Sequence, residues 1–428
     1  MLLKEHDTNC PFLMHLLRVY KTCNLFNFVN LLIFVIHLKV IYMFNPEILK
    51  SARLLAGISL RELQNRLEGI VSHNAISKYE QGVMIPDIST IIRLAEVLGI
   101  RPGEFFIDSK VSLGKIDFRK KSSLSKTEVA QIQEKTKQHV ERYLEVEGLL
   151  NLSAKFNNPI AKRIVKSAPK AEEMAEIVRA DWGLGTFPIS NVIETLEERE
   201  VKVIEVAASE KFDGLSTYVD ERIPVAVVNE NFPAERKRFT VLHELGHLMM
   251  NIPNSESKTC ESYCHRFAAA LLFPASEVFQ TLGQKRKSIA MGELVAIKEE
   301  YGISVQAAMR RAYDLEIISQ QSYKSFCIKM AGNRREEGLG SFKGVERSHR
   351  LLQLVFRLAS EKVVTLERAA ALLDLSLAKF KALFYNLEEG AEEYTYRSPA
   401  SSFSAAWGDD ESEYSFKDLK TLNPVYEA

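Results

Sequence analysis

The sequence predicts a mainly α-helical protein with one small β-sheet, an α+β fold built from more than one domain. Short helical patterns with capping residues follow one another between residues 46 and 107. Three strand-like runs lie between residues 201 and 228, and an apolar helical segment around His243 follows them. At 428 residues the chain is long enough for two or three domains, each with its own core. We therefore expect an all-α domain, then an α+β domain, then a helical C-terminal region.

Composition indicates an ordinary globular protein. The chain holds 56 basic and 56 acidic residues, so its formal net charge is zero, and 46% of its residues are hydrophobic. Whole-chain charge therefore neither favours nor excludes a nucleic-acid partner. The 5 cysteines show no paired spacing and follow no cleavable signal pattern, which favours a reducing, cytoplasmic location without a disulfide framework.

Residues 1–42 form a doubtful leader. The uncharged run from Cys23 to Leu38 counts 16 residues, fewer than the roughly 20 that a membrane span needs. A small-residue cleavage site is also missing. We favour Met43 as the natural start of the chain over the alternative, a single membrane anchor at residues 25–44, and do not expect the protein to contact a membrane.

Residues 43–108 are predicted to form the first domain. A helix runs from Pro46 to Ala56, and Ser59 caps a second one. After a turn, Ser72 caps a third helix that ends at Glu80, and residues 89–98 form a fourth. Two short helices joined by a tight turn make a helix-turn-helix unit, whose second helix enters the major groove of DNA.

These residues resemble the helix-turn-helix of the Cro and phage-repressor type, the XRE family. The resemblance rests on Ser59-Leu-Arg-Glu-Leu and on the Ala-Ile-Ser-Lys-Tyr-Glu run that ends at Glu80, followed by Gly82 and Pro86. It implies a transcription regulator that binds double-stranded operator DNA. The candidate DNA contacts are Ser72, His73, Asn74, Ser77 and Lys78. Asn74 can pair with adenine, and Lys78 with guanine or phosphate.

A helix-turn-helix used only for dimerisation is the alternative. Residues 46–107 hold seven basic and seven acidic side chains, which gives this alternative some weight. Against it, six basic residues follow that could lie on phosphates, namely Lys110, Lys115, Arg119, Lys120, Lys121 and Lys126. We interpret residues 109–150 as this basic linker and a connecting helix, Thr127 to Leu150.

The next domain, residues 151–282, contains the strand runs and a His-Glu-x-x-His pattern. Histidines four apart on a helix share one face, so His243 and His247 can reach one tetrahedral Zn²⁺. Glu244 lies where a general base for metal-activated water is needed. A surface helix with solvated histidines is the alternative. It fits poorly, because the helix is apolar nearly all round and is therefore expected to be buried.

A second helix, from Cys260 to a stop at Pro274, offers a third ligand. Glu261 can return to the metal, and His265, one turn later on the same face, is its rival. Cys260 and Cys264 could form a soft metal site with His265, although small apolar packing is the commoner role of such cysteines.

The two motifs together resemble the ImmA/IrrE-type metallo-endopeptidases. The resemblance covers about residues 130–320 and rests on Phe239-Thr-Val-Leu-His-Glu-Leu-Gly-His, then on Glu261 with the Phe-Ala-Ala-x-Leu-Leu-x-Pro run after it. It implies a zincin-like hydrolase with His243, His247 and Glu261 as zinc ligands and Glu244 as general base. It also implies a protein substrate, a repressor whose cleavage derepresses stress or mobile-element genes. The alternative is a non-catalytic DNA-binding regulator or antitoxin whose peptidase fold senses a metal or ligand.

The remaining expectations concern the flanks of this domain. Arg236 to Arg238 could hold an oxyanion, but a solvated helix start is the favoured interpretation, and Tyr263 is a weaker oxyanion candidate. Residues 283–390 are predicted to form a helical region, in which residues 330–348 are a flexible connection. The run Ala369 to Leu373 indicates close helix packing, which a partner chain in a homodimer would provide. Residues 391–428 read as a disordered tail.

Overall fold

The structure is a computed structural model that describes residues 44–106, 124–152, 155–219, 221–253 and 256–386. The predicted leader at 1–42, five of the six basic residues of the linker (all but Lys126), and the predicted tail at 391–428 lie outside these ranges. The chain divides into two compact units, residues 1–358 and residues 359–428. Within the described ranges, no helix combines the length and the apolar character that crossing a membrane requires.

The first domain is all-α, as predicted. Its helices are α1 (Pro46–Leu55), α2 (Leu60–Arg66), α3 (His73–Glu80) and α4 (Ile88–Leu98), and a short 3-10 helix follows at Pro102–Phe106. Side chains cap the start of each α-helix: Asn45, Ser59, Ser72 and Asp87 accept backbone N–H groups there. A buried ion pair of 2.5 Å between Arg53 and Glu80 ties α1 to α3.

Helix α5 (Lys126–Leu149) connects the first domain with the sheet. A capping box of Ser125 and Glu128 starts it. Towards the first domain, Gln131 Nε2 donates a hydrogen bond of 2.8 Å to the Leu55 carbonyl at the end of α1. On the sheet side, Ile132 and Val140 are buried in one apolar cluster with residues of β1 and β3. The connecting helix is therefore packed against elements on both sides of it.

The sheet has three strands, β1 (Lys202–Val206), β2 (Gly214–Val219) and β3 (Ile223–Asn229), in the order β1-β3-β2. β3 pairs in parallel with β1 and antiparallel with β2. Successive side chains of a strand point to opposite faces, and those of β3 enter two different cores. Val225 and Val227 join the cluster under α5, whereas Ala226 and Val228 join the main core of the domain. The near-continuous apolar run of the central strand follows from this two-sided burial.

The main core is built by helices on the second face of the sheet. They are α6 (Ala168–Asp181), α7 (Val192–Glu198), α8 (Ala234–Met249), α9 (Ser257–Leu272), α10 (Ala275–Leu282), α11 (Met291–Tyr301), α12 (Val305–Asp314) and α13 (Gln320–Met330). The segment of α10 was not predicted to be helical, whereas α13 lies in the predicted helical region, residues 283–390. Helix α8 contacts β2, β3, α7 and α9, so the helix with the His-Glu-x-x-His pattern lies at the centre of the domain.

Residues 331–349 are irregular, but the interpretation as a flexible connection is wrong, because two buried carboxylates anchor the segment. Glu336 accepts backbone N–H groups of Val305 and Gln306 at the start of α12. Glu346 accepts those of Val192 and Ile193 at the start of α7 and pairs with Arg238 on α8. The segment thus provides the anions that two helix N-termini favour.

The C-terminal helices are α14 (Arg350–Ser360), α15 (Leu366–Leu372) and α16 (Leu377–Phe384). Residues 366–384 form two helices and not one. Asp374 has a positive φ of 59°, and Ser376 caps the next helix. A residue in this left-handed conformation ends the first helix.

Candidate metal centre

Helices α8 and α9 form the centre together with strand β2. The two helices approach closely at Gly246, where a β-carbon would lie 3.3 Å from the Phe267 ring and 3.4 Å from the Cys264 backbone. Glycine at this position therefore lets α9 lie directly against the turn of α8 that carries both histidines. The loop between the helices returns the chain so that Glu261, in the first turns of α9, meets that face.

Three of the predicted site residues converge. His243 Nε2 lies 3.0 Å from Glu261 Oε2, and His247 Nε2 lies 3.4 Å from Glu261 Oε1. The two imidazole rings stand nearly perpendicular, with centroids 4.9 Å apart. The side chains of His243 and His247 are 9% and 6% exposed, whereas that of Glu261 is 45% exposed. The cluster is therefore buried on the α8 side and open on the α9 side.

This donor set fits a divalent zinc ion. Ligand atoms about 2.1 Å from a tetrahedral zinc are about 3.4 Å from one another, close to the distances found here. A hydrogen bond from His243 is the largest influence on Glu261, and it lowers the pKa of that carboxyl to about 2. The carboxylate is thus ionised, as a metal ligand must be. Two imidazoles and one carboxylate would leave the fourth position of a catalytic zinc for water or substrate.

Glu244, the predicted general base, is 4% exposed, and the residue that holds it was not among the predicted site residues. The hydroxyl of Ser216 on β2 donates a hydrogen bond of 2.8 Å to Glu244 Oε2. Strand β2 comes this close because position 214 is glycine: a β-carbon there would lie 2.6 Å from Thr240 Cγ2 and 2.8 Å from the Val227 carbonyl oxygen. The small residues Gly214 and Ser216 are the sequence signal for this contact.

His265 and the two cysteines are arranged differently from the soft site that the spacing suggested. His265 is exposed, its Nδ1 lies 2.6 Å from the Glu261 carbonyl oxygen, and its ring lies 4.4 Å from that of His243. It forms a potential ligand group with His243 and Glu261, so it stays a rival ligand. Cys260 and Cys264 instead group with His247, which corrects the expected partner. Burial raises the pKa of the Cys264 thiol.

The basic start of α8 is only partly solvated: Arg236 is exposed and pairs with Asp213, as the favoured interpretation implies, but Lys237 and Arg238 are buried. Arg238 is fully buried and pairs with Glu346 at 2.6 Å, and Lys237 pairs with Glu205 at 2.7 Å. Tyr263 donates its hydroxyl hydrogen to the Lys166 carbonyl at 2.9 Å. These contacts are structural, so the geometry favours neither the basic residues nor Tyr263 as an oxyanion donor.

In the first domain, the predicted DNA contacts fall into two groups. Ser72 accepts the Ala75 N–H as a cap, the backbone N–H of His73 donates to Gln64 Oε1 at 2.9 Å, and Ser77 accepts a hydrogen bond from Gln81. Asn74 and Lys78 are exposed one turn apart on α3. Asn74 and Lys78 are therefore better placed to reach bases, while the other three residues orient the helix.

Comparison with protein-family models identifies both domains. Residues 49–105 match the model described as helix-turn-helix, and residues 196–313 match the model described as IrrE N-terminal-like domain. The second match spans α7 to α12 and contains all four residues of the predicted metal and catalytic set. No curated protein matches the chain significantly. The matches confirm the predicted combination of an XRE-type DNA-binding domain with an ImmA/IrrE-like, metallopeptidase-like domain in one chain.

Proposed function

We propose that this chain, which joins a DNA-binding helix-turn-helix domain to an IrrE-like domain, is a zinc-dependent endopeptidase that regulates transcription. In this proposal His243, His247 and Glu261 bind zinc, and Glu244 is the general base. The observation that carries the proposal is that the Nε2 atoms of both histidines face the two oxygens of one ionised carboxylate, at 3.0 and 3.4 Å.

The chemistry would be peptide-bond hydrolysis. When bound by His243, His247 and Glu261, zinc would supply a Lewis acid for the substrate carbonyl and would make water nucleophilic at neutral pH. Glu244 accepts the proton of the attacking water and passes it to the leaving amine. Ser216 orients Glu244 by donating a hydrogen bond to Oε2. Burial of Glu244 and of the side chains of both histidines strengthens these electrostatic interactions.

The substrate would be an extended protein segment. In the described sheet β2 is an edge strand, and it carries Ser216 directly beside the general base. An edge strand can pair with an extended peptide through main-chain hydrogen bonds. Pairing with β2 would lay a scissile peptide bond next to Glu244.

We further propose that the protein substrate is a repressor and that its cleavage derepresses the genes it controls. Helix α5 packs on α1 of the DNA-binding domain and on the sheet, so operator binding by α3 would bring the peptidase to the promoter. A tether of this kind raises the effective concentration of protease at a DNA-bound repressor.

The test compares cells that express the parent protein with cells that express Glu244→Gln. Mass spectrometry of protein N-termini is expected to find a new terminus, inside a DNA-binding repressor, only with the parent. Zinc content by elemental analysis should be equal in both proteins, because Glu244 is not a ligand. His265→Ala should retain zinc, and Glu261→Ala should lose it. Identical N-termini in the two cell populations would favour the non-catalytic regulator instead.

A further inference from the structure

The far side of the His247 ring faces two thiols. His247 Nδ1 lies 3.4 Å from Cys264 Sγ and 3.7 Å from Cys260 Sγ. Cys264 is fully buried against α8, and Cys260, one turn earlier on α9, is only partly buried. The sulfur pair therefore lies behind the proposed zinc ligand, with Cys260 on its more accessible side.

The separations match a tetrahedral metal site. A zinc-like ion with M–S bonds of about 2.3 Å and an M–N bond of about 2.1 Å places nitrogen and sulfur about 3.6 Å apart. Both measured N···S distances lie close to this value, and the three ligand atoms all lie within 4.8 Å of one another. Two sulfurs and one imidazole nitrogen are the donors that thiophilic d¹⁰ cations prefer.

A disulfide is a poorer use of this pair. Residues four apart on a helix have β-carbons about 5–6 Å apart. A disulfide requires about 3.5–4.5 Å, so its formation would distort α9 at the turn that presents Glu261. An ion between the sulfurs avoids this distortion.

We propose that His247 Nδ1, Cys260 Sγ and Cys264 Sγ form a second metal site for a thiophilic cation, which excludes zinc from the first. The exclusion follows from imidazole chemistry, because a neutral ring has one nitrogen lone pair and carries a proton on its other nitrogen. Coordination through Nδ1 therefore leaves Nε2 protonated and unable to bind the ion shared with His243 and Glu261. The second metal site is inferred from geometry alone. That its occupation would stop peptide hydrolysis rests on the proposed peptidase function.

Cadmium is the probe, because thiolate coordination gives an ultraviolet charge-transfer band. The reference protein for this experiment is the full chain with Cys10→Ser, Cys23→Ser and Cys327→Ser, so that only the pair on α9 keeps its thiols. The matched control adds Cys260→Ser and Cys264→Ser, which are nearly isosteric changes, and circular dichroism checks its fold. One equivalent of Cd²⁺ is added to each zinc-loaded protein, and the band and the released zinc are measured.

The reference protein is expected to show the charge-transfer band and to release about one equivalent of zinc, while the control shows no band. Zinc release without a band, or an equal band in the control, overturns the site. A band with full zinc retention overturns the exclusion. If the reference protein binds no zinc at all, the proposed peptidase function is wrong, but His247→Ala in the reference protein still tests the thiol site. That variant should weaken cadmium binding at least about tenfold, and unchanged affinity refutes the site.

Discussion

Ser216 on the edge strand β2 donates a hydrogen bond of 2.8 Å to Glu244 on helix α8, across 28 positions of sequence. This contact joins the sheet to the general base of the proposed reaction. It fixes one carboxylate oxygen of a side chain that is buried. A buried carboxylate without such a donor would bear a higher desolvation cost and would rotate more freely.

Removal of the Ser216 hydroxyl should therefore impair catalysis without loss of metal. Substitutions of residues that orient a catalytic site in this way commonly cost about 10–100-fold in activity. We expect Ser216→Ala to lower kcat within that range, with zinc content unchanged by elemental analysis. Ser216→Thr, which keeps the hydroxyl, is the matched control and should retain more activity. Equal kcat for the parent and Ser216→Ala would show that Glu244 does not need this donor.

Addition of one methyl group at Gly214 should disturb the same junction. Its β-carbon would lie 2.6 Å from Thr240 Cγ2, so either β2 or α8 must move. Overpacking of this kind typically costs about 1–3 kcal/mol, and we expect Gly214→Ala to lower Tm accordingly. Gly332→Ala is the control, because nothing lies within 4 Å of a β-carbon there. A parent-like Tm for Gly214→Ala would contradict the close approach.

The buried pair of Arg238 and Glu346 should dominate the attachment of residues 331–349. Both side chains are 0% exposed, and their charged atoms lie 2.6 Å apart. Loss of one partner of a buried pair leaves an uncompensated charge, so Glu346→Gln should reduce the free energy of unfolding by about 3–5 kcal/mol. Denaturant unfolding measures this value. Arg335→Ala, which breaks an exposed pair with Glu210, should leave it nearly unchanged.

Glu197 should make stability depend on pH between about 4.5 and 8. Burial raises the pKa of this carboxyl to about 8, above the ordinary value of 4.5. The folded protein thus keeps a proton that the unfolded chain has lost, so this residue's contribution to stability falls as pH rises through that window and is constant above it. Relative to the parent, Glu197→Gln should become more stable across the window in denaturant titrations. Exposed Glu198→Gln should follow the parent at every pH.

The two exposed polar residues of α3 should affect DNA binding in different ways. Asn74→Ala is expected to cost about 1–3 kcal/mol on the best operator and to relax preference at one base pair. Lys78→Ala should weaken binding to all sequences alike if the lysine contacts phosphate, and should reduce the salt slope by about one. Operators selected from a random DNA pool serve for both measurements. Lys162→Ala, an exposed lysine outside the first domain, should change neither property.

Local patterns determined much of the architecture and the core of the candidate site. Serine caps placed α2 and α3 almost to the residue, and the strand patterns predicted all three strands. The spacing of His243 and His247 set a shared helix face without knowledge of any neighbour, because helical periodicity is a local property. In the structure Glu261, predicted from the second helix to return to the metal, lies next to both imidazoles.

Only the tertiary structure decided which groups meet across distant parts of the chain. Ser216 reaches Glu244, Cys264 turns towards His247 and away from His265, and Glu346 crosses 108 positions to pair with Arg238. None of these pairs has a spacing rule, since their contacts depend on how the sheet, α8 and α9 pack against one another. Residues 331–349 show the same limit: their glycines and charges predict a flexible segment, but the buried N-termini of α7 and α12 require anions, and Glu336 and Glu346 supply them.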